Sequence, residues 1–259
     1  MTPEIPDILS RIVARKHEEL REAVSTPAQL AETAGNFQRR DFVTALRSRQ
    51  PAIIAEIKKA SPSRGILIEN FNPVALAVEY QRGGAVALSV LTDRDFFQGS
   101  MADLHAARGA CTLPVLRKDF TIHEYNVLEA AAGGADAILL IAAILDEAQL
   151  RGFRELAANF EIASLVEVHD RAELDKALRS GAGIIGVNNR DLHTFQVSLD
   201  VSFALADQIP DEVIKVSESG ILDPVDIQLL TDRGFNAFLV GEHLLKSGDP
   251  AQALHELTD

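Results

Sequence analysis

Seven polar residues stand at or just beyond the ends of short apolar runs in this chain: Glu56 and Lys58, then Lys118, Glu167, Asn188, and Glu218 with Ser219. Lysines and carboxylates drawn into one partly dry cavity pair with each other, and pairing and burial together shift their proton affinities. Such a set supplies a proton donor and an acceptor near neutral pH, the requirement for general acid–base catalysis. One charge at a strand end reads as a solvated rim. Charges at four separate runs, with a polar amide at a fifth, point instead to an acid–base enzyme.

A second signal is for anion binding. Gly220 follows Ser219, and Gly241-Glu242 follows the last apolar run. Backbone N–H groups freed at such turns, with a short helix start behind them, can hold a phosphate. The Glu242 carboxylate would repel a phosphate dianion, so its side chain is expected to turn away and leave the contact to main-chain N–H groups. His169, two residues past Glu167, could share its face as a metal ligand, but no second ligand completes a recognisable spacing. No metal is expected. Cys111, the only cysteine, excludes an intrachain disulfide and falls before a strand, at the end away from the chemistry.

These residues need a frame that brings distant runs to one place. Gly84, Gly134, Gly181 and Gly234 recur about every 50 residues, each placed where a helix ends in a left-handed residue and an apolar run begins. With the runs between them, eight strands are predicted at 52–57, 86–91, 115–118, 137–142, 163–168, 184–188, 213–217 and 237–240. Most are apolar throughout, as strands covered on both faces must be, so parallel pairing follows. The segments 73–83, 125–132, 172–180 and 224–233 read as amphipathic helices, with Asn72, Asp170 and Asp223 at cap positions. Eight such units in 259 residues predict a single α/β domain, a (β/α)8 TIM barrel over 1–259. An open sheet would want a glycine-rich turn after its first strand, and none follows Ile57. Residues 1–50 form a helical N-terminal extension. Ile8, Leu9, Ile12, Val13 and Leu20 give it an apolar stripe that fits a plug under the barrel or a flap over its mouth equally well.

In such a barrel the carboxyl ends of the strands carry the active site, which is where the polar residues fall. Composition narrows the class further. A net charge of −13 argues against a nucleic-acid partner. The longest apolar run, 137–145, is too short to span a bilayer, and the first seven residues lack the pattern of a secretory leader. A cytoplasmic protein without nucleic-acid or membrane partners, working as a monomer, is expected.

The chain resembles the indole-3-glycerol-phosphate synthase family in the segments 54–63 (Ile-Ala-Glu-Ile-Lys-Lys-Ala-Ser-Pro-Ser), 91–93 with 97–100, 115–120 (Val-Leu-Arg-Lys-Asp-Phe), 165–168, 185–192 (Ile-Gly-Val-Asn-Asn-Arg-Asp-Leu) and 216–221. The resemblance implies a small sugar-phosphate substrate, 1-(2-carboxyphenylamino)-1-deoxyribulose 5-phosphate, and a carboxy-lyase reaction of ring closure, decarboxylation and dehydration in tryptophan biosynthesis, with no cofactor. It implies Lys118 as the general acid on the substrate carbonyl and Glu167 as the base in dehydration. Lys58 would pair with anionic groups, while Glu56 and Glu218 orient the lysines and Asn188 and Ser219 support them. Ser61, Phe97, Arg190 and Leu239 would contact the substrate, and Gly220, Gly241 and Glu242 would surround its phosphate. At Glu242 some relatives carry Ser, and at Ala60 some carry a base.

Three rival functions could use the same residues. A sugar-phosphate isomerase would want a Cys and Asp pair, which Cys111 is misplaced to supply. A lysine Schiff-base aldolase would be trapped by borohydride. A catalytically dead binding module would bind substrate equally with and without Lys118.

Overall fold

A computed structural model describes residues 7–62 and 64–258; residues 1–6, on which the expectation about a leader falls, Ser63 of the Ser-Pro-Ser motif and Asp259 lie outside them. The chain enters through α1 (Asp7–Glu22), α2 (Pro27–Ala34) and α3 (Phe42–Arg47), then forms β1 (Ala52–Ile57) and a hairpin of β2 (Ala60–Ser61) and β3 (Gly65–Ile66). There follow α4 (Pro73–Arg82), β4 (Ala87–Leu91), α5 (Met101–Ala110), β5 (Val115–Lys118), α6 (Glu124–Ala132), β6 (Ala137–Ile141), α7 (Glu147–Ala158) and β7 (Ala163–Val168). The rest is α8 (Arg171–Arg179), β8 (Ile184–Asn188), α9 (Asp200–Ala206), β9 (Ile214–Glu218), α10 (Pro224–Thr231), β10 (Ala237–Val240), α11 (Glu242–Lys246) and α12 (Pro250–Thr258).

Eight strands close into a parallel barrel in the order β1, β10, β9, β8, β7, β6, β5, β4. The predicted strands all occur, displaced by no more than one residue at an end. Local chemistry sets the helix starts: Asn72, Asp170 and Asp223 accept hydrogen bonds from the N–H groups of Ala75, Glu173 and Asp226. The repeating glycines end the preceding helices with φ of 87° at Gly84, 75° at Gly134, 83° at Gly181 and 84° at Gly234, a region costly for any side chain. The β2–β3 hairpin is absent from the sequence reading, because two-residue strands carry no period.

Alternation along each strand divides the core in two. One set, including Ile53, Ala55, Leu88, Val90, Ile138, Leu140, Ile185 and Val187, packs outward against the helices. The other, including Ala52, Ile54, Leu116, Leu139, Leu165, Val216 and Leu239, fills the barrel. Both faces are thereby apolar, which is why the strands read as unbroken runs.

The N-terminal extension covers both ends of the barrel. Phe42 and Leu46 of α3, each 1% exposed, pack with residues at the starts of the strands, such as Ala52, Ala87, Ala137 and Ala237, and close the floor. Leu9 and Ile12 of α1, each 2% exposed, pack at the carboxyl ends instead, where they line a cavity with Lys58, Lys118 and Glu167. Lys16, one turn further on that face, is buried against Asp93 at 3.0 Å and Asp119 at 2.8 Å. The stripe of α1 is thus a flap over the mouth and not a plug; the floor is closed by α3, which that stripe does not include.

Candidate active site

The strand period of two places one residue of the inward set last on each strand. Below Glu56 lie Ala52 and Ile54; below Lys118, Leu116; below Glu167, Leu165; below Glu218, Ile214 and Val216. An apolar barrel therefore ends in a ring of ionisable groups. Lys118 Nζ stands 2.7 Å from Glu167 Oε2 and 3.1 Å from Glu218 Oε2, joining β5, β7 and β9. Lys58 pairs with Glu56 across one turn of the pleat.

Two carboxylates share one ammonium here, and their environments pull them apart. Burial raises the carboxyl of Glu218, and the charges of Glu167 and Glu56 add to this against Lys118, so it titrates at about 7. Glu167 is also buried, but Lys118 and His169 outweigh the burial and hold it below the usual carboxylate range. For Lys118 burial opposes the charge, yet Glu167, Glu218 and Glu56 prevail and keep it an ammonium well above its ordinary value. Glu218 Oε1 is buried without a hydrogen-bond partner. It lies over Gly186, where a Cβ would collide with it.

The turn after β9 is unusual. Ser219 and Gly220 follow one another at φ 67° and 83°, a left-handed pair that reverses the chain at the cavity edge. Asn189 holds this turn, donating through Nδ2 to Ser217 Oγ at 2.9 Å and to the Ser219 carbonyl at 3.1 Å. Asn188 Oδ1 accepts from Ser219 Oγ at 3.0 Å and from the Arg190 N–H at 3.1 Å.

Two adjoining cavities open on these groups. A polar one of about 750 Å³ includes Glu56, Lys58, Lys118, Asn188, Arg190, Glu218, Ser219, Gly220, Leu239, Gly241 and Glu242. An apolar slot of about 150 Å³ beside it is lined by Phe97, Phe120, Ser61, Ile8, Leu9 and Ile12, and also reaches Lys118 and Glu167. All fourteen residues singled out in the sequence border one or both cavities. A Cβ at Gly241 would press on the Glu56 side chain and displace its carboxylate.

Glu242 does not turn away from the mouth. Its carboxylate points into the polar cavity, 2.9 Å from Arg64 and 3.9 Å from Arg190, and bonded to Lys246. The expectation counted only its repulsion for phosphate; three cations from separate segments hold it in place. Arg64 lies in the β2–β3 turn and becomes visible only with the loops in space, whereas Lys246 ends α11, four residues after Glu242 on the same helix, a spacing the sequence already offers.

His169 sits between two carboxylates, Glu167 and Glu173, rather than among metal ligands. Among the described residues no cluster of three or more His, Cys, Asp or Glu could hold a metal ion. Cys111 is buried beside the start of β5, away from the mouth. No helix of the described residues is long and apolar enough to cross a membrane.

Solved structures share the architecture at low identity. KGPDC from Streptococcus mutans superposes with a TM-score of 0.63 at 12% identity over 81% of this chain and 96% of that one. Thiamine phosphate pyrophosphorylase from Pyrococcus furiosus gives 0.59 at 16%, over 80% and 93%. Whole-sequence similarity is far closer elsewhere. The indole-3-glycerol phosphate synthase of Polaromonas naphthalenivorans is 49% identical over 97% of this chain and 98% of its own length. That of Desulfotalea psychrophila is 51% identical over the same shares. The model of that family matches residues 9–257, and the chain belongs to the indole-3-glycerol phosphate synthase family.

Proposed function

We propose that this chain is a carboxy-lyase that closes the indole ring of 1-(2-carboxyphenylamino)-1-deoxyribulose 5-phosphate, releasing carbon dioxide and water to leave indole-3-glycerol phosphate. The observation that carries the reading is Lys118, held between Glu167 and Glu218 where a polar cavity meets an apolar slot. The polar cavity suits the sugar phosphate and the slot the aromatic ring, with Phe97 packing on it. Attack of the ring carbon on the ketone builds negative charge on oxygen. An ammonium fixed beside that oxygen stabilises the transition state more than the ground state, and Lys118 supplies the proton. Loss of carbon dioxide restores the aromatic ring without an electron-sink cofactor. Glu167, ionised at neutral pH, then takes a proton as the hydroxyl departs.

Lys58 and Arg190 meet anionic groups of the substrate, Glu56 and Glu218 orient the lysines, and Ser61, Leu239, Asn188 and Ser219 complete the walls. The N–H groups of Gly220 and Gly241 receive the phosphate, and Arg64 and Lys246 share its charge with Arg190. Residues 1–259 act in this reading as one barrel domain in the cytoplasm, as a monomer, with 1–50 as its extension. A Schiff-base aldolase needs a lysine whose amine is easily freed, and the raised affinity of Lys118 for its proton counts against it. Incubation with the carboxyphenylamino sugar phosphate, followed by indole fluorescence, tests the proposal; folded protein giving no signal overturns it.

A further inference from the structure

Glu167 has two oxygens, and the reaction as read employs only the environment of one. Oε2 faces Lys118. Oε1 faces His169 Nε2 at 3.4 Å. The other ring nitrogen of His169, Nδ1, is 3.0 Å from Glu173 Oε2, and the same oxygen accepts the His169 backbone N–H at 2.8 Å. Glu173 is itself fixed: it lies buried in the first turn of α8, where its own N–H is capped by Asp170.

An imidazole flanked by two carboxylates is constrained by its proton count. Either neutral tautomer would turn one nitrogen lone pair onto a carboxylate oxygen. Only the doubly protonated ring offers an N–H to each. The ring is largely buried, and Nε2 has no hydrogen-bond partner besides this close approach to Glu167. On its far side lies a separate cavity of about 460 Å³, bordered also by Lys176, Arg190, Asp191 and His193. Lys176 is engaged by the carbonyls of Ala142 and Leu145, and Asp191 by the N–H groups of its own turn. Glu218, two strands along the barrel on β9, adds to the negative field at the ring when it is ionised. Burial works against the imidazolium, but Glu173, Glu167 and Glu218 outweigh it and raise the ring's proton affinity.

We propose that His169 and Glu173 are a positioning pair for Glu167, the imidazolium anchoring its carboxylate on the side opposite Lys118 and holding it ionised for its role as base. The inference rests on the reading of Glu167 given above. It applies to a residue otherwise read from sequence only as a metal ligand without a set.

Two measurements on the full chain test it. Nitrogen NMR of the histidine rings at neutral pH is expected to find both His169 nitrogens protonated, and Glu173→Gln to lower the pH at which that ring loses its charge. In steady-state kinetics, His169→Ala is expected to lower kcat by about ten-fold, the scale on which supporting partners act, with KM within about two-fold. Loss of the cation raises the Glu167 carboxyl, so the acid limb of the kcat profile moves to higher pH. Imidazole, which can enter the outer cavity, restores part of the activity, whereas pyrazole, a ring of the same size but barely basic, does not. His169→Gln fills the space, keeps a donor toward Glu167 and lies between the two, which guards against a misfolded alanine variant. A neutral ring in the wild type, or a folded His169→Ala or His169→Gln with the wild-type kcat and pH profile, overturns the pairing. Wild-type protein with a charged His169 but no turnover supports the pairing and overturns the assignment of the reaction instead.

Discussion

The two ends of the barrel each carry a cluster of buried charge, and they are built to opposite rules. At the amino end Asp136, 1% exposed, accepts from the N–H groups of Arg40 at 2.8 Å and Val115 at 2.9 Å and from the Arg108 guanidinium at 3.1 Å. Beside it Arg39 donates to the carbonyls of Phe160, Ala135, Ala34 and Ala131, and Arg40 to those of Leu113 and Arg108. Cations there outnumber the carboxylate and are bound to backbone, so they tie the N-terminal extension to α5, α6 and the strand starts. At the carboxyl end carboxylates outnumber the ammonium they share, and Glu218 Oε1 is left without a partner. An unmet buried acceptor costs about 1–3 kcal/mol. Around Asp136 the unmet atom is a donor, Arg108 Nε, while both carboxylate oxygens are engaged, so one cluster ties chain segments together and the other keeps a buried carboxylate oxygen unpaired beside the cavity.

The comparison breaks if substitutions at the two ends act alike. Lys118→Ala is expected to reduce turnover by about 10²- to 10⁴-fold while substrate still binds, measured by single-turnover kinetics and direct titration. Asp136→Ala should do the reverse, lowering stability in urea by about 3 kcal/mol with kcat per folded molecule unchanged. A sharper probe is Glu218. Its folded-state value of about 7 lies above the ordinary 4.5, so the native state binds this proton more tightly than the unfolded chain. Its contribution to stability is therefore full below 4.5 and is lost as pH rises through 7. Glu218→Gln is expected to flatten that part of the stability profile and remove a transition near 7 from the kcat profile. The smallest effect belongs to Glu242, whose carboxylate competes with phosphate for three cations. Glu242→Gln should tighten inhibition by inorganic phosphate by about three-fold, an exposed-pair energy.

Much of the frame could be read from residues alone, because its signals are local. Caps at Asn72, Asp170 and Asp223, left-handed glycines and unbroken apolar runs each act within a few positions of themselves. The inward ring was legible for the same reason, since the pleat fixes which strand residue faces in. What escaped depends on loops meeting in space. The orientation of Glu242 depends on Arg64 and Arg190, which approach it from different segments, and the apolar stripe of the extension could not say which end of the barrel each helix covers. Glu173 offered no signal beyond its place in a helix's first turn.

The path of the extension has a further consequence. Leu9 and Ile12 roof the aromatic slot, Phe42 and Leu46 seal the far end, and fewer than 40 residues of one continuous segment connect them. Trimming the chain from its start removes cavity-lining surface before it reaches the foundation. Progressive shortening would therefore weaken grip on the substrate first and structural integrity only later, so that affinity and folding fail in sequence along a single stretch of polypeptide.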